Sequence, residues 1–96
     1  MTVYVMAFVK VKDPAWIEDY VPKVEALVQA HGGRYLVRNT EVQQIEGGGA
    51  VPDVAVIVEF PSADQAQAFY EDPQYQPFLE ARKAGADTTL VLVEGV

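Results

Sequence analysis

Val3-Tyr4-Val5-Met6-Ala7-Phe8-Val9 is apolar at every position, without the in-and-out alternation of a strand that has one face in water. Val54-Ala55-Val56-Ile57-Val58 and Leu90-Val91-Leu92-Val93 are written the same way. A strand apolar on both faces calls for cover above and below. The chain between these runs supplies helical material for one face only, so the simplest cover for the other is a second copy.

Outward from the first run, Asp13-Pro14 reads as an N-cap followed by proline at the first helical position, where the missing N–H breaks no intrahelical bond. Ile17, Tyr20, Val21, Val24, Leu27, Val28 and His31 then recur at three- and four-residue steps, giving a helix with one apolar stripe. Gly32-Gly33 offers it a left-handed stop. Pro22 falls inside the stripe, and its missing donor predicts a kink or division near Asp19 or Tyr20. Arg34 to Arg38 resumes an extended pattern that is predicted to continue, less regularly, through Glu41-Val42-Gln43-Gln44-Ile45.

Gly47-Gly48-Gly49 reads as a hairpin connection. A phosphate-binding loop would need a Lys-Ser/Thr pair and a following helix, and neither is present in the sequence. Ser62-Ala63-Asp64-Gln65 is a capping box that opens a second helix with Ala66, Phe69 and Tyr70 turned inward. Asp72-Pro73 breaks that helix, and a further helical stretch from Gln74 to Ala84, carrying Tyr75, Phe78 and Leu79, delivers the chain through Gly85 to the last strand.

Strand, helix, strand, strand, helix, strand is two β-α-β units joined by a hairpin. It predicts one α+β domain over residues 1–96, ferredoxin-like βαββαβ, a four-stranded antiparallel sheet with the helices on one face. The bare face would carry either Tyr4, Met6 and Phe8 or Val3, Val5, Ala7 and Val9, and both sets are too apolar to leave in water. Two such sheets packed face to face would make a homodimer through the open sheet face, a dimeric α+β barrel.

Composition narrows the partners. Ninety-six residues, 50% hydrophobic, suffice for one core and not two. Cysteine is absent, which removes disulfides, thiolate metal sites and cysteine nucleophiles. A formal charge of −7 is opposite to the basic footprint of a nucleic-acid or anionic-membrane binder, so no nucleic acid and no membrane are expected as partners. The apolar run from Val3 is far short of the roughly 18 residues of a membrane span, and no basic segment precedes it as in a signal peptide. The default expectation is a soluble cytoplasmic protein.

Tyr35-Leu36-Val37-Arg38, Val58-Glu59-Phe60-Pro61-Ser62, Ala68-Phe69-Tyr70, Tyr75-Gln76-Pro77, Arg82 and Val93-Glu94-Gly95, in this order over nearly the whole chain, resemble the family called domain of unknown function 1330 (DUF 1330). That family is similar in fold to the dimeric α+β barrel proteins, which include cofactor-free monooxygenases, muconolactone isomerase-like enzymes and haem-binding members. The resemblance implies the fold and the dimer. One departure follows Arg38, where the family often has a glycine pair and this chain has Asn39-Thr40, a less permissive backbone that bears on any pocket near Arg38.

Arg38 and Glu59 are the first candidates for chemistry. With a turn about Gly48 they fall nearly opposite each other and both interrupt apolar sequence. They read either as a structural ion pair at the sheet rim or as a pocket arginine for an anionic or enolate-like ligand, with a carboxylate to orient it or accept a proton. His31 is the only histidine. Its place in the last helical turn suits a cap on the helix dipole better than catalysis or haem ligation. No second histidine or carboxylate cluster stands at metal-ligand spacing, so no metal and no cofactor are expected.

Tyr4, Tyr20, Tyr35, Tyr70 and Tyr75, with Trp16, read mainly as core or interface packing. Tyr35 and Tyr75 are the exceptions, as candidate ligand-pocket residues. Together these readings predict a small homodimer that binds or converts a small organic molecule by cofactor-independent chemistry such as oxygenation, isomerisation or proton transfer. Arg38 would stabilise negative charge, and Glu59 or His31 would move the proton. The rival is a non-catalytic ligand-binding or interaction module.

Overall fold

A computed structural model describes all residues, 1–96. β1 (Val3–Val11) leads through a 3₁₀ turn at Pro14–Trp16 into α1 (Ile17–Ala30), followed by β2 (Arg34–Asn39) and β3 (Val54–Phe60). Then come α2 (Ala63–Glu71), α3 (Gln76–Gly85) and β4 (Ala86–Glu94). The sheet runs β2-β3-β1-β4 with every neighbouring pair antiparallel. This is the ferredoxin-like α+β arrangement that the order of elements predicts, with α2 and α3 as the two pieces of a second helix broken at Asp72-Pro73.

The core lies between the helices and one face of the sheet. Val3, Val58 and Phe60 from the strands meet Val24 and Val28 of α1, Ala66 and Phe69 of α2, and Tyr75 and Leu79 at α3. The period of two along each strand therefore leaves Tyr4, Met6 and Phe8 on the opposite face, in register with Ile57, Ala55, Val91 and Val93. Phe8, Val37, Val91 and Val93 are 36–46% exposed, so this second face is apolar and uncovered in the single chain. No helix is long and apolar enough to cross a membrane.

Local signals act as their chemistry dictates. The Asp13 carboxylate accepts from Ala15 N–H at 3.0 Å, and Gly32 adopts φ +82° while Gly33 N–H returns to the Val28 carbonyl, closing α1. α1 runs unbroken through Pro22, contrary to the predicted division. Pro22 stands close to the helix start, so it forfeits only the bond to the Glu18 carbonyl. The Ser62 hydroxyl caps Gln65 N–H, but the Gln65 amide reaches the His31 carbonyl at 3.3 Å rather than the cap's own backbone, tying the start of α2 to the end of α1.

The predicted extension of β2 through Ile45 does not form. The Asn39 side chain accepts from Glu41 N–H at 2.9 Å in an Asx turn that ends the strand, and residues 40–53 make an irregular loop with Gly47 and Gly49 at positive φ. Neither Asn39 nor Thr40 has positive φ, so the Asn-Thr pair places no demand for glycine here.

Two aspartates clamp the ends of this scaffold. Asp53 takes a hydrogen bond from Val11 N–H at 2.8 Å and one from Lys10, and Asp72 takes one from His31 Nε2 at 2.8 Å and one from Gln74 N–H. The Val11 amide chiefly holds the Asp53 carboxyl below the usual carboxylate range, and His31 chiefly does the same for Asp72. A depressed folded-state pKa gives stability that is full above the unfolded aspartate value of about 3.9 and is lost as pH falls through the folded values. The melting temperature should be flat from neutral pH down to about 5 and fall below about 4. In a thermal-melt series, Asp53→Asn/Asp72→Asn should fall less steeply over that acid range, and an acid slope equal to wild type would contradict the assignment.

Candidate functional site

Between α1, α3 and the helix-facing side of the sheet lies a cavity of about 360 Å³. Its walls are mostly aliphatic: Ala7 and Val9 of β1, Val21, Val24 and Val28 of α1, and Val54 and Val56 of β3. Polar groups enter it from two sides. Tyr35 and Arg38 come from β2, and Tyr20, Tyr75 and Arg82 from the helical layer, with Trp16 beside them.

The β2 pair reaches the cavity through a register irregularity. Tyr35 pairs with Val58, Val37 with Ile57 and Arg38 with Val56, with a shift between Tyr35 and Val37. In a regular strand residues 35 and 38 would face opposite ways, and the inserted residue turns both toward the helices. There the Arg38 guanidinium lies over the Tyr35 ring, 4.7 Å from its centroid, and its Nη1 is 3.7 Å from Glu25 of α1. Burial pushes the Tyr35 hydroxyl's pKa up, with Arg38 opposing.

The helical side is more deeply buried. Tyr75, 1% exposed, precedes α3 and stacks against Phe69 at a centroid separation of 4.5 Å. Its hydroxyl is 3.0 Å from that of Tyr20 and accepts from Arg82 Nη2 at 3.3 Å. Burial above all, then Tyr75, raises the Tyr20 pKa far beyond the physiological range, so this hydroxyl stays protonated. For Arg82, burial acts to lower the pKa, but attraction to Tyr20 and Tyr75, together with the hydrogen bond to Tyr75, outweighs it, and the guanidinium stays charged. Trp16 stands edge-on to Tyr20, and its buried Nε1 has no hydrogen-bond partner.

Tyr75→Phe keeps the ring packing and leaves Arg82 without its acceptor and Tyr20 without its partner. The loss should be about 1–3 kcal/mol in urea unfolding. Tyr70→Phe, whose hydroxyl bonds nothing in the fold, should stay within about 0.5 kcal/mol of wild type. Equal costs for the two variants would contradict the network.

The structure gathers three of the five residues singled out by sequence, Arg38, Tyr35 and Tyr75, around one cavity. It separates the other two. Arg38 faces Val56, three residues before Glu59, because the hairpin turns about residue 47 rather than Gly48 and strand pairing stops at Asn39. Glu59 instead faces Arg34, with Nε to Oε1 at 3.0 Å, on the uncovered side of the sheet. The Arg38–Glu59 pair therefore does not form. His31 caps the end of α1 and binds Asp72, outside the cavity lining. No three His, Asp or Glu side chains gather as a metal site.

The sequence profile of the family described as Domain of unknown function (DUF1330) matches residues 2–96. The chain belongs to the DUF1330 family. No curated protein matches it. Among solved structures it is similar to RPA0582, a protein of unknown function from Rhodopseudomonas palustris, at 17% identity and TM-score 0.83, covering 99% of this chain and 82% of that one. It is also similar to SnoaB, a cofactor-independent oxygenase from Streptomyces nogalater, at 14% identity and TM-score 0.69 over 99% and 93% of the two chains. A dimeric ferredoxin-like protein of unknown function from Thermobifida fusca matches at 17% identity and TM-score 0.66 over 99% and 92%. At these identities the likeness is one of fold.

Within this DUF1330 chain, Arg82 is the residue that sequence reasoning passed over as a site. The signal was available: Tyr75, Leu79 and Arg82 stand at i, i+4 and i+7, which puts an arginine on the apolar stripe of α3.

Proposed function

We propose that this DUF1330 protein is a homodimer that binds a small, partly apolar organic molecule in the cavity between its helices and sheet and acts on it without a cofactor. The observation that carries the reading is the cavity itself, about 360 Å³ of mostly aliphatic wall on which Arg38, Arg82 and the Tyr20–Tyr75 hydroxyl pair converge. Apolar walls with a few placed polar groups are the usual build of a small-molecule site. Guanidinium and phenol donors fixed in a mostly apolar cavity stabilise an oxygen that gains negative charge, as an enolate or peroxide oxygen does.

Glu59 and His31 take structural roles in this reading, one beside Arg34 on the open face and one tied to Asp72. That leaves no carboxylate or imidazole on the cavity wall. The chemistry is therefore restricted to substrates acidic enough to reach the anion without a protein base. The same observation favours the second reading, a binding module without turnover. Recovery of a bound compound unchanged after aerobic incubation selects the module, and its conversion selects the enzyme.

The dimer forms through the uncovered face, where Tyr4, Met6, Phe8, Ile57, Val91 and Val93 make one apolar surface rimmed by the Arg34–Glu59 and Lys10–Asp53 pairs. To test the cavity, Ala7→Leu grows a side chain from the central strand into it. The variant should melt at or above the wild-type temperature and lose the thermal shifts that small aromatic compounds give the wild type. Retention of those shifts by a folded Ala7→Leu would sink the cavity as the site.

A further inference from the structure

Arg82 is 5% exposed, and none of the chain's five ion pairs includes it. Its hydrogen bond runs to a neutral-type acceptor, the Tyr75 hydroxyl at 3.3 Å, although a guanidinium carries five N–H donors. The chain is not short of carboxylates: it has 14 against 7 basic residues, and it still leaves this one cation unmatched in its interior. A buried charge without a counter-charge is costly and is ordinarily paired. The exposed arginines show the contrast, since Arg34 and Arg38 both have glutamate partners.

The remaining polar groups of the cavity wall point to the same chemistry. Trp16 Nε1 is a donor, buried and unpartnered. In the Tyr20–Tyr75–Arg82 chain, Arg82 donates into the hydroxyl pair, so at least one hydroxyl proton remains to share with whatever lies beside it. The site is thus rich in donors and lacks any acceptor carboxylate. An occupant that matches it carries acceptor oxygens and negative charge at one end and apolar surface along the rest.

We infer that the ligand of this cavity is a monovalent organic anion, a small carboxylate or the enolate of a small carbonyl compound, with its charged oxygens on Arg82 and its apolar body against the valines of β1, β3 and α1. This rests on the cavity being a ligand site, and it names the class of ligand that site takes. A planar two-oxygen anion suits the guanidinium fork, which presents parallel N–H donors. Arg38 stands at the rim, already stacked on Tyr35 and facing Glu25, and serves the entrance rather than the charge. Arg82 also borders a second, open groove beside β4, lined in part by Leu90, Leu92, Lys83 and Asp87, whose carboxylate opposes a multiply charged anion such as inorganic phosphate.

The test is a calorimetric titration of the intact protein with benzoate and with its uncharged isostere benzamide, at millimolar concentration. Benzoate should bind at least about tenfold more tightly than benzamide, and inorganic phosphate should not displace it. Arg82→Met, which keeps the length and removes the charge, should fold with an equal or higher melting temperature and bring the benzoate-to-benzamide ratio to about one. Arg82→Lys keeps the charge without the fork and should retain only part of the preference. If the Met variant fails to fold, the Lys variant carries the comparison. Equal wild-type affinities, a preference that survives both substitutions, or displacement by phosphate would overturn the anion while leaving the cavity reading intact. Binding of neither compound to the wild type would overturn both.

Discussion

An Ile57→Asp variant is expected to be a folded monomer. Ile57 sits on a central strand in the middle of the uncovered face, opposite Met6 of β1 and Val37 of β2. In the single chain its site is only half-buried, so a carboxylate there keeps much of its water and the fold survives. In a face-to-face dimer the same carboxylate is taken from water with no partner and meets its own symmetry copy. The penalty is several kcal/mol per ion, and each 1.4 kcal/mol is tenfold in affinity, so dimer affinity should weaken by at least about a thousandfold. Light scattering after gel filtration should give twice the 10.5 kDa chain mass for wild type and the single mass for the variant, with unchanged circular dichroism. A variant that stays dimeric at wild-type dilution would place the interface elsewhere.

Gly85→Ala should be the most damaging single methyl group in the chain. A Cβ built at Gly85 would lie 2.3 Å from Trp16 Cδ1, 2.6 Å from its Nε1 and 2.9 Å from the Asp13 carbonyl oxygen. The indole is wedged against Tyr20. The Asp13 segment is pinned because the N–H groups of Lys12 and Asp13 both donate to the Gly85 carbonyl. Overpacking at such a site costs about 1–3 kcal/mol. Because Trp16 lines the cavity, the variant should lose ligand-induced thermal shifts as well as stability. Glycine at 48, where a Cβ would meet nothing within 4 Å, supplies the control: Gly48→Ala should be nearly neutral. Equal effects at the two positions would contradict the packing account.

The fold was legible because its signals are local and redundant. Apolar runs at Val3 and Val54, the Asp13 and Ser62 caps and the Asp72-Pro73 break each constrain one element, and the order of elements leaves one economical topology. The site was legible in residue type and illegible in register. Arg38 and Tyr35 stand out in the sequence, but their side of the sheet depends on a one-residue irregularity before Val37 that no residue there announces. The same loss of register misplaced Glu59, since a hairpin with a long irregular loop has no turn chemistry to fix its pairing. Arg82 was hidden for another reason. Its spacing from Tyr75 and Leu79 puts it on the apolar stripe, but an arginine in the last turn of a helix also suits the helix dipole, and the packed layers reveal that it is buried with no carboxylate partner.

The central claim, that the space between helices and sheet is a ligand site, is tested most directly by methyl-resolved NMR of the wild-type protein titrated in parallel with benzoate and benzamide. The account predicts saturable shifts at Val9, Val24, Val28, Val54 and Val56, all on the cavity wall, with Val37, Val91 and Val93 of the open face unmoved. Shifts confined to Val37, Val91 and Val93, or none anywhere at millimolar probe, would contradict it.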